Sequence, residues 1–310
     1  MPLWRAREAR CYAPPDGIAR EGMMLRGRAL VTLAFGLLLA ACAPVEEEQA
    51  RPRGPGEDAC ATENLPLETS GTLSVGTSYP YYEPFKSGPR QNPDGFEPDI
   101  AEELASRLGL DEVAWEIAPF DSLYAPGQKP YDFSMDQISI TPERAEVVDF
   151  SDPYYLIQQG LLVQEGSEIA NATTIEELAP YKFGAQTGTT GLAFIEDTIQ
   201  PDEPPNKYSD TNDAANALSL GQIDAVVIDV PIAIPLTEQF PGTTVAAQFV
   251  TNEGYGMAFP EKGSELVPCV NQALQEMRDD GTLQELQNQW LPELDVDIPV
   301  IEYPGAPAAD

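Results

Sequence analysis

Beyond Gly71, short apolar runs alternate with longer stretches whose apolar positions recur every three or four residues, the pattern of strands alternating with helices. Thr72 to Gly76 predicts a first strand, and Ile100, Leu104 and Leu108 share one face of a helix. Asp99, three residues before Glu102, predicts a capping-box start for that helix, and Gly109 its stop. Val113, Trp115 and Ile117 alternate as a strand. Later strands are predicted at Tyr131 to Ile138, Tyr181 to Ala185, Ala225 to Ile228 and Thr243 to Phe249. Between them fall helices near Glu176, from Leu192 to Ile199 and from Ala214 to Leu218, and a closing helical stretch from Glu265 to Trp290 breaks at Asp280-Gly281. This order predicts an α/β fold with mainly parallel sheets.

The chain ahead of this body has a different pattern. Arg26 and Arg28 precede an apolar run of 13 residues, Ala29 to Ala41, shorter than the roughly 20 residues that span a bilayer as a helix. It reads as the core of an export signal, and its end, Leu39-Ala40-Ala41-Cys42, resembles the bacterial lipobox, in which the cysteine is lipid-modified and becomes the N-terminus. Residues 1–42 are therefore expected to be a signal segment, with Met23 and Met24 as candidate translation starts, and Cys42 the lipidation site. Residues 43–59, with Pro44, Pro52, Gly54, Pro55 and Gly56, have the composition of a flexible tether. Two cysteines remain in the body, Cys60 and Cys269, and an isolated even pair in an exported chain favours a disulfide.

Composition then narrows the chemistry. Seventeen Lys and Arg stand against 51 Asp and Glu, a net charge of −34, which excludes a nucleic-acid-binding surface. Six of the basic and three of the acidic residues precede Cys42, leaving 11 basic and 48 acidic residues, a net of −37. Such a surface reads either as adaptation to a salt-rich habitat or as an ordinary solvated face. There is no histidine, which removes Ser-His-Asp and Cys-His catalysis and histidine-ligated metals. Gly188-Thr189-Thr190-Gly191 lacks the lysine of a phosphate loop and the glycine spacing of a dinucleotide turn, and the acidic runs lack calcium-loop spacing. No cofactor and no metal are expected.

Polar residues collect where predicted strands end. Thr77-Ser78, Asp136-Gln137-Ile138-Ser139, Gln186 to Thr190, and Asp229 each follow a strand, the place where open α/β sheets bind ligands. Strand ends are also commonly solvated or used as helix caps, so it is the coincidence of four that suggests a cleft.

The stretch Tyr131 to Arg144, followed by Val147 to Tyr155, resembles the signature of family 3 of the bacterial extracellular solute-binding proteins, amino-acid receptors of ABC importers. Pro84-Phe85, Gly95 to Asp99, Gly188-Thr189-Thr190, Gly221 to Ala225 and Tyr255 to Ala258 follow in the family's order, so the resemblance runs from about Gly71 to Trp290. It implies a two-lobed type II periplasmic-binding-protein-like fold with the ligand cleft between the lobes. Lobe one would comprise 60–156 and 251–293, lobe two 157–250, and 294–310 would form a C-terminal tail. It also implies that Arg144 binds a ligand carboxylate with the backbone N–H of Thr189 or Thr190, and that Asp229, Ser139 and the Gln137 carbonyl bind its ammonium. Asp136, Ser78, Tyr82, Glu83 and Phe120 complete the expected ligand-facing set.

Two features depart from the family: Asp136 and Gln137 stand where relatives often carry Ser or Gly, and the loop Tyr79-Pro80-Tyr81-Tyr82-Glu83 is one residue longer. With Glu83 and Asp136 beside the side chain of the ligand, neutral polar or cationic amino acids would be preferred to anionic ones. The function implied is a monomeric, lipid-anchored receptor at the extracytoplasmic face that delivers an amino acid to a membrane permease. A dehydratase-like enzyme on the same scaffold, using Glu83 or Asp136 as its acid, and a sensor module are the alternatives.

Overall fold

The computed structural model describes residues 59–291 and 297–306. Cys42, the two candidate starts and most of the tether lie outside them. In chain order the body runs β1 (Thr72–Thr77), α1 (Phe96–Arg107), β2 (Glu112–Ile117), α2 (Phe120–Leu123), β3 (Phe133–Ser134), α3 (Pro142–Ala145) and β4 (Asp149–Phe150). It continues with β5 (Tyr155–Gln164), β6 (Phe183–Gln186), α4 (Thr190–Phe194), β7 (Asn206–Tyr208), α5 (Thr211–Ser219), β8 (Ala225–Asp229), α6 (Val230–Gln239) and β9 (Thr243–Tyr255). The last elements are β10 (Ala258–Phe259), α7 (Leu266–Asp279) and α8 (Thr282–Trp290).

Two five-stranded sheets, ordered β2-β1-β3-β10-β4 and β7-β6-β8-β5-β9, form the cores of two lobes. The chain passes from the first to the second between Phe150 and Tyr155 and returns between Tyr255 and Ala258. Each sheet has a parallel trio, β2-β1-β3 and β7-β6-β8, but the remaining strands join antiparallel, so the sheets are mixed rather than mainly parallel. The reason is the double passage: β5 and β9 run past each other in opposite directions, Tyr155 pairing with Tyr255, and enter the second sheet side by side.

Strands covered on both faces need apolar side chains at successive positions. In β8, Ala225 and Val227 pack into one apolar cluster while Val226 and Ile228 pack into another, which is why this strand reads as a continuous apolar run. β5 was not apparent from the sequence, and β9 extends six residues past the predicted end, to Tyr255. The predicted strand from Tyr131 to Ile138 keeps only Phe133–Ser134 in the sheet, because the chain turns away and holds Gln137 at φ 50°.

Helix α1 starts at Phe96, three residues before the predicted Asp99. No side chain caps it. The free N–H groups of Phe96 and Glu97 donate to the carbonyls of Pro84 and Phe85 at 3.1 Å each, which makes the capping box unnecessary. That close approach requires Gly95, at φ 140°, where a Cβ would meet the Phe85 carbonyl at 2.5 Å. Asp99 instead accepts a hydrogen bond from the Trp290 indole at 2.6 Å. The predicted stop at Gly109 and the break between α7 and α8 at Asp280-Gly281 are both present.

Cys60 and Cys269 form a disulfide that ties the segment before β1 to α7. Among the described residues, no helix is long and apolar enough to cross a membrane.

Candidate functional site

Strand ends from both sheets face one cleft, which holds about 560 Å³ of empty space when its open mouth is included. Ser78 follows β1, Asp136, Gln137 and Ser139 follow β3, and Arg144 rises from the single turn of α3. From the other side come Gln186 at the end of β6, Thr189 and Thr190 at the start of α4, Asp229 at the end of β8, and Thr211 opening α5. Tyr82 and Phe120 supply aromatic wall. All of these line the cleft.

Arg144 is held in place by local chain structure. Thr141 caps α3, its hydroxyl accepting from the Arg144 N–H at 3.2 Å, and the side chain turns into the cleft, where it is 8% exposed. Its guanidinium donates to the Ser139 carbonyl at 2.5 Å and to the Gly188 carbonyl at 2.9 Å, and it stacks on the Tyr124 ring at 4.3 Å. Among the described residues no carboxylate pairs with it. Burial lowers its pKa from the usual arginine value, so the charge rests on carbonyl dipoles and a ring face. Gly188 sits at φ 82°, and a Cβ there would meet the Tyr124 hydroxyl at 2.4 Å. Hence only glycine brings this turn so near.

Helix α4 begins with Thr189 as its cap: the hydroxyl accepts from the Leu192 N–H at 3.2 Å and donates to the Gln186 carbonyl at 2.9 Å. The first N–H groups of this turn point toward the cleft end of the helix, where an anion is favoured.

Asp229 lies diagonally opposite in chemical character. Its carboxyl accepts from the Tyr255 hydroxyl and from the Gln159 amide, the latter at 2.5 Å. The same amide nitrogen donates to Glu253 and to the Thr190 hydroxyl, both at 3.1 Å. Burial, with the neighbouring Glu253 charge, pushes the Asp229 pKa up to about 7, against the opposing pull of Tyr255, Gln159 and Arg144. Among the described residues, one buried oxygen on each of Gln159 and Glu253 has no partner. The Ser139 hydroxyl stands 3.5 Å from that of Thr190, closing a polar line from Arg144's anchor to Asp229's neighbour.

Asp136 lines the cleft, as expected of a ligand-facing residue, and is already paired. It pairs with the fully buried Lys86 at 2.9 Å and accepts from the Thr77 hydroxyl and the Ser78 N–H at 2.8 and 3.1 Å. Unlike Asp136, Glu83 is exposed and is not among the residues lining the cleft. Its loop turns it to solvent while Tyr82 turns in, the Tyr82 hydroxyl accepting from the Thr211 N–H at 3.0 Å across the cleft. Gln186 and Thr211, joined at 3.0 Å, were not among the expected site residues. Gln186 follows a predicted strand and was legible; nothing in the sequence singled out Thr211, Tyr124, Gln159 or Lys86. Among the described residues, no group of three or more acidic or sulfur ligands is placed to hold a metal ion.

The cleft thus offers a guanidinium and helix-start amides for an anion, and an acid with a hydroxyl neighbour for a cation. The model of the bacterial extracellular solute-binding proteins, family 3, matches residues 73–293. The chain belongs to that family. It is similar to the L-cystine-binding protein TcyJ of Escherichia coli strain K12, with 31% identity over 233 residues covering 72% of this chain and 84% of the relative. The ABC transporter arginine-binding protein 1 of the same strain is 30% identical over 229 residues, covering 71% and 90%. Among solved structures, an ancestral arginine-binding protein bound to glutamine superposes with a TM-score of 0.66 at 31% identity, covering 73% of this chain and all of that one (100%).

Proposed function

We propose that this protein is an extracytoplasmic receptor that captures a free α-amino acid between its lobes and passes it to the permease of an ABC importer. The observation that carries this reading is the delivery of Arg144 and Asp229 to one cleft from two different sheets. The ligand carboxylate takes the Arg144 fork and the N–H of Thr189 or Thr190. Its ammonium takes Asp229, with the Ser139 hydroxyl and the Gln137 carbonyl. Charge-assisted hydrogen bonds of about 1.5–3 kcal/mol each bring a few such contacts to the roughly 8 kcal/mol of a micromolar receptor.

The lobes divide at the paired passages of β5 and β9, lobe one holding 60–156 and 251–293 and lobe two 157–250. Each end of the ligand is contacted from both lobes, and these contacts together stabilise the closed form. The relatives named for cystine and arginine, and the ABC transporter in one of those names, support both the ligand class and the partner. Cys42 carries the lipid anchor, residues 43–59 hold the body off the membrane, and the receptor acts as a monomer. The dehydratase alternative is not favoured: Glu83 is exposed and Asp136 accepts from three donors. A thermal-shift panel of the free amino acids tests the reading, since a ligand at 100 times its Kd adds about 2.7 kcal/mol of stability. No shift with any amino acid would refute it.

A further inference from the structure

Beside the cleft lies a buried ion cluster of Lys86, Glu97 and Asp136, of which only Asp136 lines the cleft. The Lys86 side chain has no exposure, and its ammonium meets Glu97 and Asp136 and donates to the Met135 carbonyl at 3.1 Å. Burial alone would lower its pKa, but the two carboxylates more than offset this and raise it, so it stays charged.

The two acids stand differently toward the cleft. Glu97 is fully enclosed, and both of its oxygens are occupied. Oε1 accepts from the Gln137 N–H at 2.8 Å and from the Tyr154 hydroxyl; Oε2 accepts from Lys86 and from the Gln137 amide at 2.5 Å. Asp136 lines the cleft; among the described residues, its Oδ1 is taken by Thr77 and Lys86 and its Oδ2 only by the Ser78 N–H. A carboxylate oxygen accepts about two hydrogen bonds, so Oδ2 has one position left.

That position offers a hydrogen bond without an unpaired charge. A neutral amide or hydroxyl that donates to it completes the carboxylate. An ammonium or guanidinium there would share one carboxylate with Lys86, placing two like charges together in a closed, poorly screened cleft. An anionic side chain would face Asp136 directly.

We propose that Lys86 is an internal counter-ion that sets the side-chain charge selectivity of the cleft, so that it takes an amino acid with a neutral, hydrogen-bond-donating side chain in preference to a cationic one. This rests on the reading of the cleft as an amino-acid site with the ligand's ends on Arg144 and Asp229. Lys86 acts through Asp136 and is a positioning residue, not a ligand contact.

The test is isothermal titration of the mature protein with glutamine, asparagine, serine, arginine and lysine. The wild type should bind its best neutral donor at least about 10-fold tighter than arginine or lysine. Lys86→Met should shift that ratio toward the cationic ligands by about 10-fold or more. Asp136→Asn, which leaves Lys86 paired to Glu97, should weaken glutamine, which loses its carboxylate acceptor, and weaken arginine at least as much, because Lys86 then faces it without Asp136. Wild-type preference for arginine or lysine overturns the proposal even if Lys86→Met does not fold, and so does an unchanged ratio in a folded Lys86→Met. Absence of binding by every amino acid instead overturns the receptor reading, and this proposal with it.

Discussion

The Arg144 guanidinium, carried by α3 beside the first sheet, donates to the Gly188 carbonyl at the start of α4 beside the second, at 2.9 Å. The Tyr124 hydroxyl donates to the same carbonyl at 2.8 Å, so one oxygen gathers a guanidinium and a phenol from across the cleft. The group assigned to the ligand carboxylate therefore also touches the opposite wall. Binding and closure share a residue.

Replacing Arg144 with Lys keeps the charge but loses the planar fork and the stacking on Tyr124. Amino-acid affinity should fall by about 2 kcal/mol, near 30-fold, and Arg144→Ala should lose at least as much. Thermal stability without ligand should fall modestly, because the guanidinium's bonds to the Ser139 and Gly188 carbonyls are altered while no apolar cluster is disturbed. Titration calorimetry beside thermal denaturation checks both halves.

Acidity should act through Asp229. Its folded pKa is raised to about 7 from an ordinary 3.8, with Glu253, Gln159, Tyr255 and Arg144 as the facing groups. A carboxyl with a raised pKa stabilises the folded free protein below pH 4 and loses that contribution as pH rises through 7. Ligand affinity runs the opposite way, since an ammonium needs the ionised acid. Affinity should strengthen by up to about 10-fold per unit between pH 5 and 7 and level off above. Titrations across pH 5 to 8 test this, and Asp229→Asn should bind weakly with a flat profile.

Much of this site is readable in the chain because the groups it needs are local to strand ends: Arg144 and Ser139 lie within one motif, and Asp229 ends an unbroken apolar run. Other parts depend on residues distant in sequence. Lys86 beside Phe85 reads as one more surface charge until folding brings Glu97 and Asp136 to it. Glu83 sits in the same loop as Tyr82, and only the backbone decides which turns inward. Helix α6 was not among the predicted elements, and it carries two prolines, Pro231 and Pro235. Pro231 occupies the first turn, where its missing N–H costs nothing, and Pro235 is carried inside a helix packed against β5 and β9.

The Cys60–Cys269 bridge closes 209 residues of chain, a large constraint on the unfolded state. Cys269→Ser should lower stability by about 2–4 kcal/mol in urea denaturation without changing ligand preference. Alkylation before reduction should label neither cysteine.

Membrane attachment should depend on Cys42 alone. Cys42→Ser should move the protein from the membrane to the soluble fraction while its amino-acid binding stays unchanged. Continued sedimentation with membranes would argue for a different anchor.

The most direct test of two-ended capture is calorimetry with the best amino-acid ligand, its decarboxylated amine and its deaminated acid, followed by small-angle scattering. Both truncated ligands should bind at least about 30-fold more weakly than the intact amino acid, and only the intact one should compact the protein. Equal binding of the intact ligand and either truncated form, or compaction by a ligand lacking one end, would contradict a cleft that closes by holding a carboxylate on Arg144 and an ammonium on Asp229.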